Sequence, residues 1–147
     1  QERRHEYALK GFNYRMDGIQ AAVLGVKLDC LDRWNEQRRQ IAASYRGALE
    51  LRDSVSCLED LSDGQHVYHL FDVRVGERDT VLGGLHKAGI GAAIHYPVPL
   101  HRQPSLAGLG YAVEQFPVAN RLADEILSLP IYPGITTEQV EWVVSAL

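Results

Sequence analysis

A chain of 147 residues, 46% hydrophobic and 23% charged, has the composition of one ordinary globular domain, which excludes a disordered or low-complexity polymer. Its formal net charge of -4 supplies no basic face for a nucleic-acid backbone. No apolar run approaches the roughly 18 residues a membrane helix needs, and the opening "QERRHEYALK" does not read as a signal peptide. Cys30 and Cys57 stand in no metal-ligand spacing and are expected as unpaired thiols, which suits a reducing, cytoplasmic setting.

The charged opening runs directly into "GFNYRMDGIQAAVL" without a preceding element, as a cut into a longer protein would. From Met16, apolar residues recur in steps of three and four through Ile19, Val23, Val26, Cys30, Trp34, Ile41, Tyr45 and Leu49. That spacing predicts a long amphipathic helix over about 16–51, either continuous or in two pieces joined by a bend. Asp17 and Gln20 have the form of a capping box at its start, and Gly25 is a weak point within it. Asp29 with Arg33 and Glu36 with Arg39 are spaced to pair on its polar face. The stripe is too long for a small domain to bury, so part of it needs another domain or a second subunit.

"HVYHLFDVRV" (66–75) reads as a strand, with Val67, Phe71, Val73 and Val75 on one face. A short helix follows in "RDTVLGGLHKAGI", with Val81, Leu85 and Ala88 inward, Asp79 as its cap and Gly89 ending it. "GAAIHY" reads as a second strand stopped by Pro97 and Pro99. "FPVANRLADEIL" is a helix with Pro117 in its first turn and Val118, Leu122 and Ile126 inward. "SLPIYPG" is extended, and Thr136 with Gln139 repeats the capping box ahead of "VEWVVSAL". The expected fold is α/β (α+β): a long N-terminal helix, then a small three-stranded sheet with helices packed on it.

Two stretches carry candidate chemistry. Asn13 and Arg15 precede the long helix, whose unpaired N–H groups favour anions, and together they suit a phosphate; equally, they are a turn residue and a surface ion-pair partner. His95, Tyr96 and His101 lie in the rigid, proline-rich "AAIHYPVPLHRQP". Either these imidazoles meet a sugar hydroxyl or phosphate, or shuttle a proton, or they simply bond to neighbouring carbonyls. His66 and His69 belong to a strand and pack or face solvent. The six histidines have no HExxH-like spacing, which leaves a metal site without support, and no GxSxG, P-loop or GxGxxG is present.

Four motifs in order, "GFNYRMDGIQAAVLGVKLDCLDRWNEQRRQIAASY", "HLFDVRV", "GIGAAIHYPVPLHRQP" and "FPVANRLADEILSLPIYPGITTEQVEWVV", cover nearly the whole chain. They resemble the C-terminal part of the DegT/DnrJ/EryC1/StrS family, pyridoxal-phosphate-dependent nucleotide-sugar aminotransferases of fold type I. The resemblance implies that residues 1–147 are the small C-terminal domain and connecting helix of a parent enzyme, with the large domain absent. It implies a homodimer in which Asn13 reaches the cofactor phosphate of the other subunit, with Tyr14 and Arg15 in the same motif. His95 and Tyr96 would then line the nucleotide-sugar side of the cleft, with His101 and Arg102 in the adjoining loop.

The amino group would pass from a donor, glutamate by resemblance, to a nucleotide-linked keto-sugar; "IHYPVPLHRQP" is most similar to members acting on dTDP- or UDP-linked deoxy sugars. The family's Schiff-base lysine lies upstream of "NYR", and none of Lys10, Lys27 and Lys87 stands in its context, so no catalytic residue is expected within this chain. Two rivals are a dehydratase of the same family, with histidine in place of that lysine, and a non-catalytic ligand-binding or dimerisation module.

Overall fold

The computed structural model describes residues 11, 15–60 and 65–147. The leading helical stretch is in two pieces, α1 (Gly18–Leu28) and α2 (Leu31–Leu49). Between them the Cys30 N–H donates to the Lys27 carbonyl, a tight turn that ends one helix, and the Cys30 carbonyl accepts from Trp34 to begin the next. The capping box at Asp17 forms as expected: its carboxylate accepts from the Gln20 N–H at 2.7 Å, and Gln20 Oε1 accepts from the Asp17 N–H at 3.2 Å. Arg39 and Glu36 pair at 2.7 Å. Arg33 does not take Asp29; its Nη2 reaches Cys30 Sγ at 3.5 Å.

Three strands follow in a single antiparallel sheet of order β1-β2-β3: β1 (Val55–Cys57), β2 (Phe71–Val75) and β3 (Ile126–Leu129). Fold class and strand number match the sequence expectation, but strand membership does not. β1 is too short to announce itself by alternation. β2 begins only at Phe71; Val67 lies outside it and is 44% exposed. "GAAIHY" contributes one bridge, Ala93 to Ser128, rather than a strand. The expected helix over 116–127 stops as α4 (Pro117–Glu125), and its last two residues open β3 because Ile126 and Leu127 pair with Arg74 and Val73. Tertiary pairing here overrides a helical period.

The remaining helices are α3 (Arg78–Lys87) and α5 (Thr137–Ser145), and three short 3-10 turns lie within residues 100–115. α3 is capped at Glu77, in the left-handed region with φ 47°, rather than at Asp79, which sits in the first turn and accepts from Arg78. Gly89 does close this helix with φ +76°, a conformation that costs little only without a Cβ. α5 begins with the predicted Thr136–Gln139 box.

Strand register sorts the side chains into two faces. Phe71, Val73 and Val75 pair with Leu129, Leu127 and Val55, and they join Tyr45 and Leu49 of α2, Leu85 of α3 and Val140, Val143 and Val144 of α5 in one core. Tyr45 is fully buried, stacks on Phe71 with ring centroids 5.0 Å apart, and donates its hydroxyl to the Pro130 carbonyl at 2.9 Å. Burial and the nearby Tyr132 push the Tyr45 hydroxyl well above its ordinary range. The opposite face carries Asp72, Arg74, Ile126 and Ser128, and it is this face that meets α4 and the proline-rich segment. No helix among the described residues is long and apolar enough to cross a membrane.

Candidate functional site

α4 is docked on the polar face of the sheet by two arginines. Arg74 donates to Glu125 at 2.6 Å, and Arg78 Nη1 donates to the Ala123 carbonyl, satisfying a C-terminal carbonyl that the helix itself leaves open. The segment after Ala93 folds back over α4 through the 3-10 turns, and a pocket of about 720 Å³ lies between them. His95, Tyr96 and His101 all line it, as does the buried Gln103; Phe116 and Leu122 supply apolar wall. The structure brings His95, Tyr96 and His101 together around this one pocket. Arg102 is exposed and does not line the pocket. Arg15 is exposed just ahead of α1, likewise outside the lining, and Asn13 and Tyr14 fall outside the described residues.

The two histidines are held differently. His101 Nε2 lies 3.0 Å from Asn120 Oδ1, while Asn120 Nδ2 donates to the Val113 carbonyl, so the histidine N–H is the donor in the first contact. Its ring lies against Phe116, centroids 4.7 Å apart. His101 therefore ties the loop to α4. His95 instead sits two residues beyond the Ala93 bridge, on the same side of the sheet by period two. Its Nδ1 is 2.8 Å from Ser128 Oγ, and Ser128 Oγ donates to Asp72 Oδ1 at 2.5 Å. Tyr96 is 62% exposed, with its ring edge-on to His95.

Asp72, Ser128 and Asn120 were not singled out by sequence reasoning. Asp72 and Ser128 are 56 residues apart and meet only because they are directly paired across β2 and β3. One signal existed: a lone serine inside the apolar run "EILSLP", which needs a partner when buried. His66, expected in a strand, lies outside β2, and its Nδ1 accepts from the Tyr68 N–H at 2.9 Å. Val118, expected inward, is 59% exposed, whereas Leu122 lines the pocket and Ile126 is buried.

Pyridoxal phosphate requires an amine for its aldehyde and a cluster of N–H or cationic donors for its phosphate. Among the described residues, neither lysine nor arginine lines this pocket. Lys27 and Lys87 are exposed on α1 and at the end of α3, and Lys10 is outside the described residues. The described residues alone do not fit the cofactor, while an imidazole, a phenol and a carboxamide around an apolar wall do suit a polyhydroxylated ligand.

Comparison with known proteins identifies the family. A model of the DegT/DnrJ/EryC1/StrS aminotransferase family matches residues 1–147. The "Pleiotropic regulatory protein" of Geobacillus stearothermophilus is 42% identical over 93% of this chain and 37% of its own length. The dTDP-3-amino-3,6-dideoxy-alpha-D-galactopyranose transaminase of Aneurinibacillus thermoaerophilus is 40% identical over 99% of this chain and 39% of its own. Among solved structures, Streptomyces venezuelae DesV, crystallised in complex with a ketimine intermediate, superposes with a TM-score of 0.83 at 36% identity, covering 99% of this chain and 39% of that one. The chain thus spans about two-fifths of the length of the relatives it matches. With the family model matched along its whole length and the fold shared with solved members, the chain belongs to the DegT/DnrJ/EryC1/StrS aminotransferase family.

Proposed function

We propose that this chain is the C-terminal small domain, with its connecting helix, of a cytoplasmic pyridoxal-phosphate-dependent aminotransferase that moves an amino group from glutamate to a nucleotide-linked keto-sugar. The observation that carries this reading is the single pocket wall formed by His95, Tyr96 and His101, which no lysine lines among the described residues. These three residues would contact sugar or diphosphate, with Arg102 nearby in sequence. The reactive amine and most of the phosphate cup would come from the large domain upstream, with Asn13 and Arg15 completing the phosphate site across a homodimer. The pyridoxal group, when bound, supplies the electron sink for amino transfer. This chain contributes binding and orientation, and its pocket wall keeps the sugar in place.

The test compares this chain with a version extended upstream, each treated with pyridoxal phosphate and borohydride, then assayed for transfer of labelled nitrogen from glutamate to dTDP- and UDP-linked keto-sugars. Cofactor fixed to an upstream lysine, with nitrogen transfer, in the extended protein only would support the proposal. Fixation on Lys27 or Lys87 of the shorter chain would overturn the division of the site. An extended protein that fixes no cofactor but dehydrates the sugar would favour the dehydratase instead.

A further inference from the structure

The sheet register places Asp72, Ser128 and Ala93 in one row, since Ser128 is paired to Asp72 on one side and bridged to Ala93 on the other. Side chains in such a row share a face and stand close enough to bond. His95 follows Ala93 by two residues, so its ring drops onto Ser128. Ser128 is 4% exposed, too buried for water to replace either neighbour. A serine hydroxyl has one hydrogen, and Ser128 gives it to Asp72 Oδ1. Toward His95 the same oxygen can therefore only accept. Nδ1 must carry the hydrogen, which leaves Nε2 of the neutral ring as an acceptor.

We propose that Asp72 and Ser128 are positioning residues that hold His95 as its Nδ1–H tautomer, so that the pocket presents Nε2 as an acceptor for a ligand hydroxyl rather than a donor to a phosphate oxygen. That the hydroxyl belongs to a sugar rests on the amino-transfer reading above; the tautomer does not. The order of the three groups also separates this arrangement from a hydrolytic triad. Ser128 lies between acid and imidazole, its hydroxyl hydrogen already engaged, so it has no role as a nucleophile. His101, whose Nε2–H is given to Asn120 Oδ1, is left with Nδ1 rather than Nε2 as its acceptor.

Two-bond nitrogen–proton spectra of the full chain with labelled histidine, taken at about pH 8 where free imidazole is neutral, read the tautomer directly. His95 is expected to show a pyrrole-type Nδ1 and a pyridine-type Nε2. Ser128→Ala should release the ring to the Nε2–H form that free histidine prefers, and Ser128→Thr, which keeps the hydroxyl, should restore the original pattern. Asp72→Asn can donate to Ser128, freeing the serine hydrogen for Nδ1 and shifting His95 the same way as Ser128→Ala. A wild-type ring that is already Nε2–H, or that stays unchanged in both Ser128→Ala and Asp72→Asn, would overturn the proposal.

In the upstream-extended protein, Ser128→Ala should raise the KM for the keto-sugar nucleotide about tenfold, the worth of one hydrogen bond, while inhibition by free dTDP or UDP holds constant. A parallel weakening of the free nucleotide would overturn the hydroxyl assignment. The Nδ1–H form in a protein that transfers no amino group would support the positioning role and count against the amino-transfer reading alone.

Discussion

α1 and α2 come from one continuous apolar period, yet they live in different environments. α2 buries Ala42, Tyr45 and Leu49 against the sheet and α5, whereas α1 buries no residue and leaves Ile19, Val26 and Leu28 80%, 78% and 66% exposed. The same pattern of side chains is thus core in one helix and bare surface in the next. The teaching is that amphipathicity reports which face needs covering and says nothing about what covers it. α1 extends beyond the sheet, and its cap and hydrogen bonds hold it locally, while α2 is held by tertiary packing.

The largest test of that contrast removes the Tyr45 ring. Tyr45→Ala should cost about 3–5 kcal/mol in urea unfolding, because it deletes the stack on Phe71 and opens a cavity in the core. Ile19→Ser in α1 should move the same midpoint by less than about 0.5 kcal/mol. A comparable loss from both would mean that α1 is packed in solution after all.

A milder change at the same position isolates the hydroxyl. Tyr45→Phe keeps the ring and leaves the Pro130 carbonyl without its donor, for an expected loss of about 1 kcal/mol at neutral pH. Its alkaline behaviour carries the sign of the shifted ionisation. Folding raises the Tyr45 pKa, so the unfolded chain gives up its proton first, above the ordinary tyrosine value of 10.0. The stability this hydroxyl contributes is intact below pH 10 and declines as pH rises beyond it. Tyr68, raised by burial and by its bond to Asp60, adds to the same decline. Stability measured from pH 8 to 11 should therefore fall less steeply in Tyr45→Phe than in the wild type.

The cap of α1 offers the next smaller effect. Asp17→Ala should cost the helix about 1 kcal/mol, read as faster amide exchange over Gly18–Leu28 with little change in the global midpoint. Loss of exchange protection in α2 as well would show that the two helices unfold together across the turn at Cys30. Smallest of all, Glu36→Gln should change stability only slightly and lose that difference in high salt, since its pairing with Arg39, which lowers the Glu36 pKa, lies on the exposed face.

Much of the fold was legible because its signals are local. Both Asp17–Gln20 and Thr136–Gln139 boxes, Pro117 in the first turn of α4, and Gly89 after α3 involve residues within one turn of each other. His95, Tyr96 and His101 were legible as a group because they fall on one short, proline-stiffened segment. What failed had a partner far away. β1 is three residues long, and β3 took Ile126 and Leu127 from a helical pattern because β2 was there to pair with them. Val67 and Val118 fit their expected faces by period, but they are 44% and 59% exposed.

The sequence alone determined the capping boxes of α1 and α5, the stop at Gly89, the alternation through Phe71, Val73 and Val75, and the family, since each depends on residue types at short or fixed spacing. Only the tertiary structure decided how each histidine is held. His95 and His101 lie six residues apart in the same proline-rich segment, and their chemistry comes from Ser128 and Asp72 on one side and Asn120 on the other. Hydrogen-bond direction depends on atoms brought together by strand register and helix docking, and neither is written in any local run of residues.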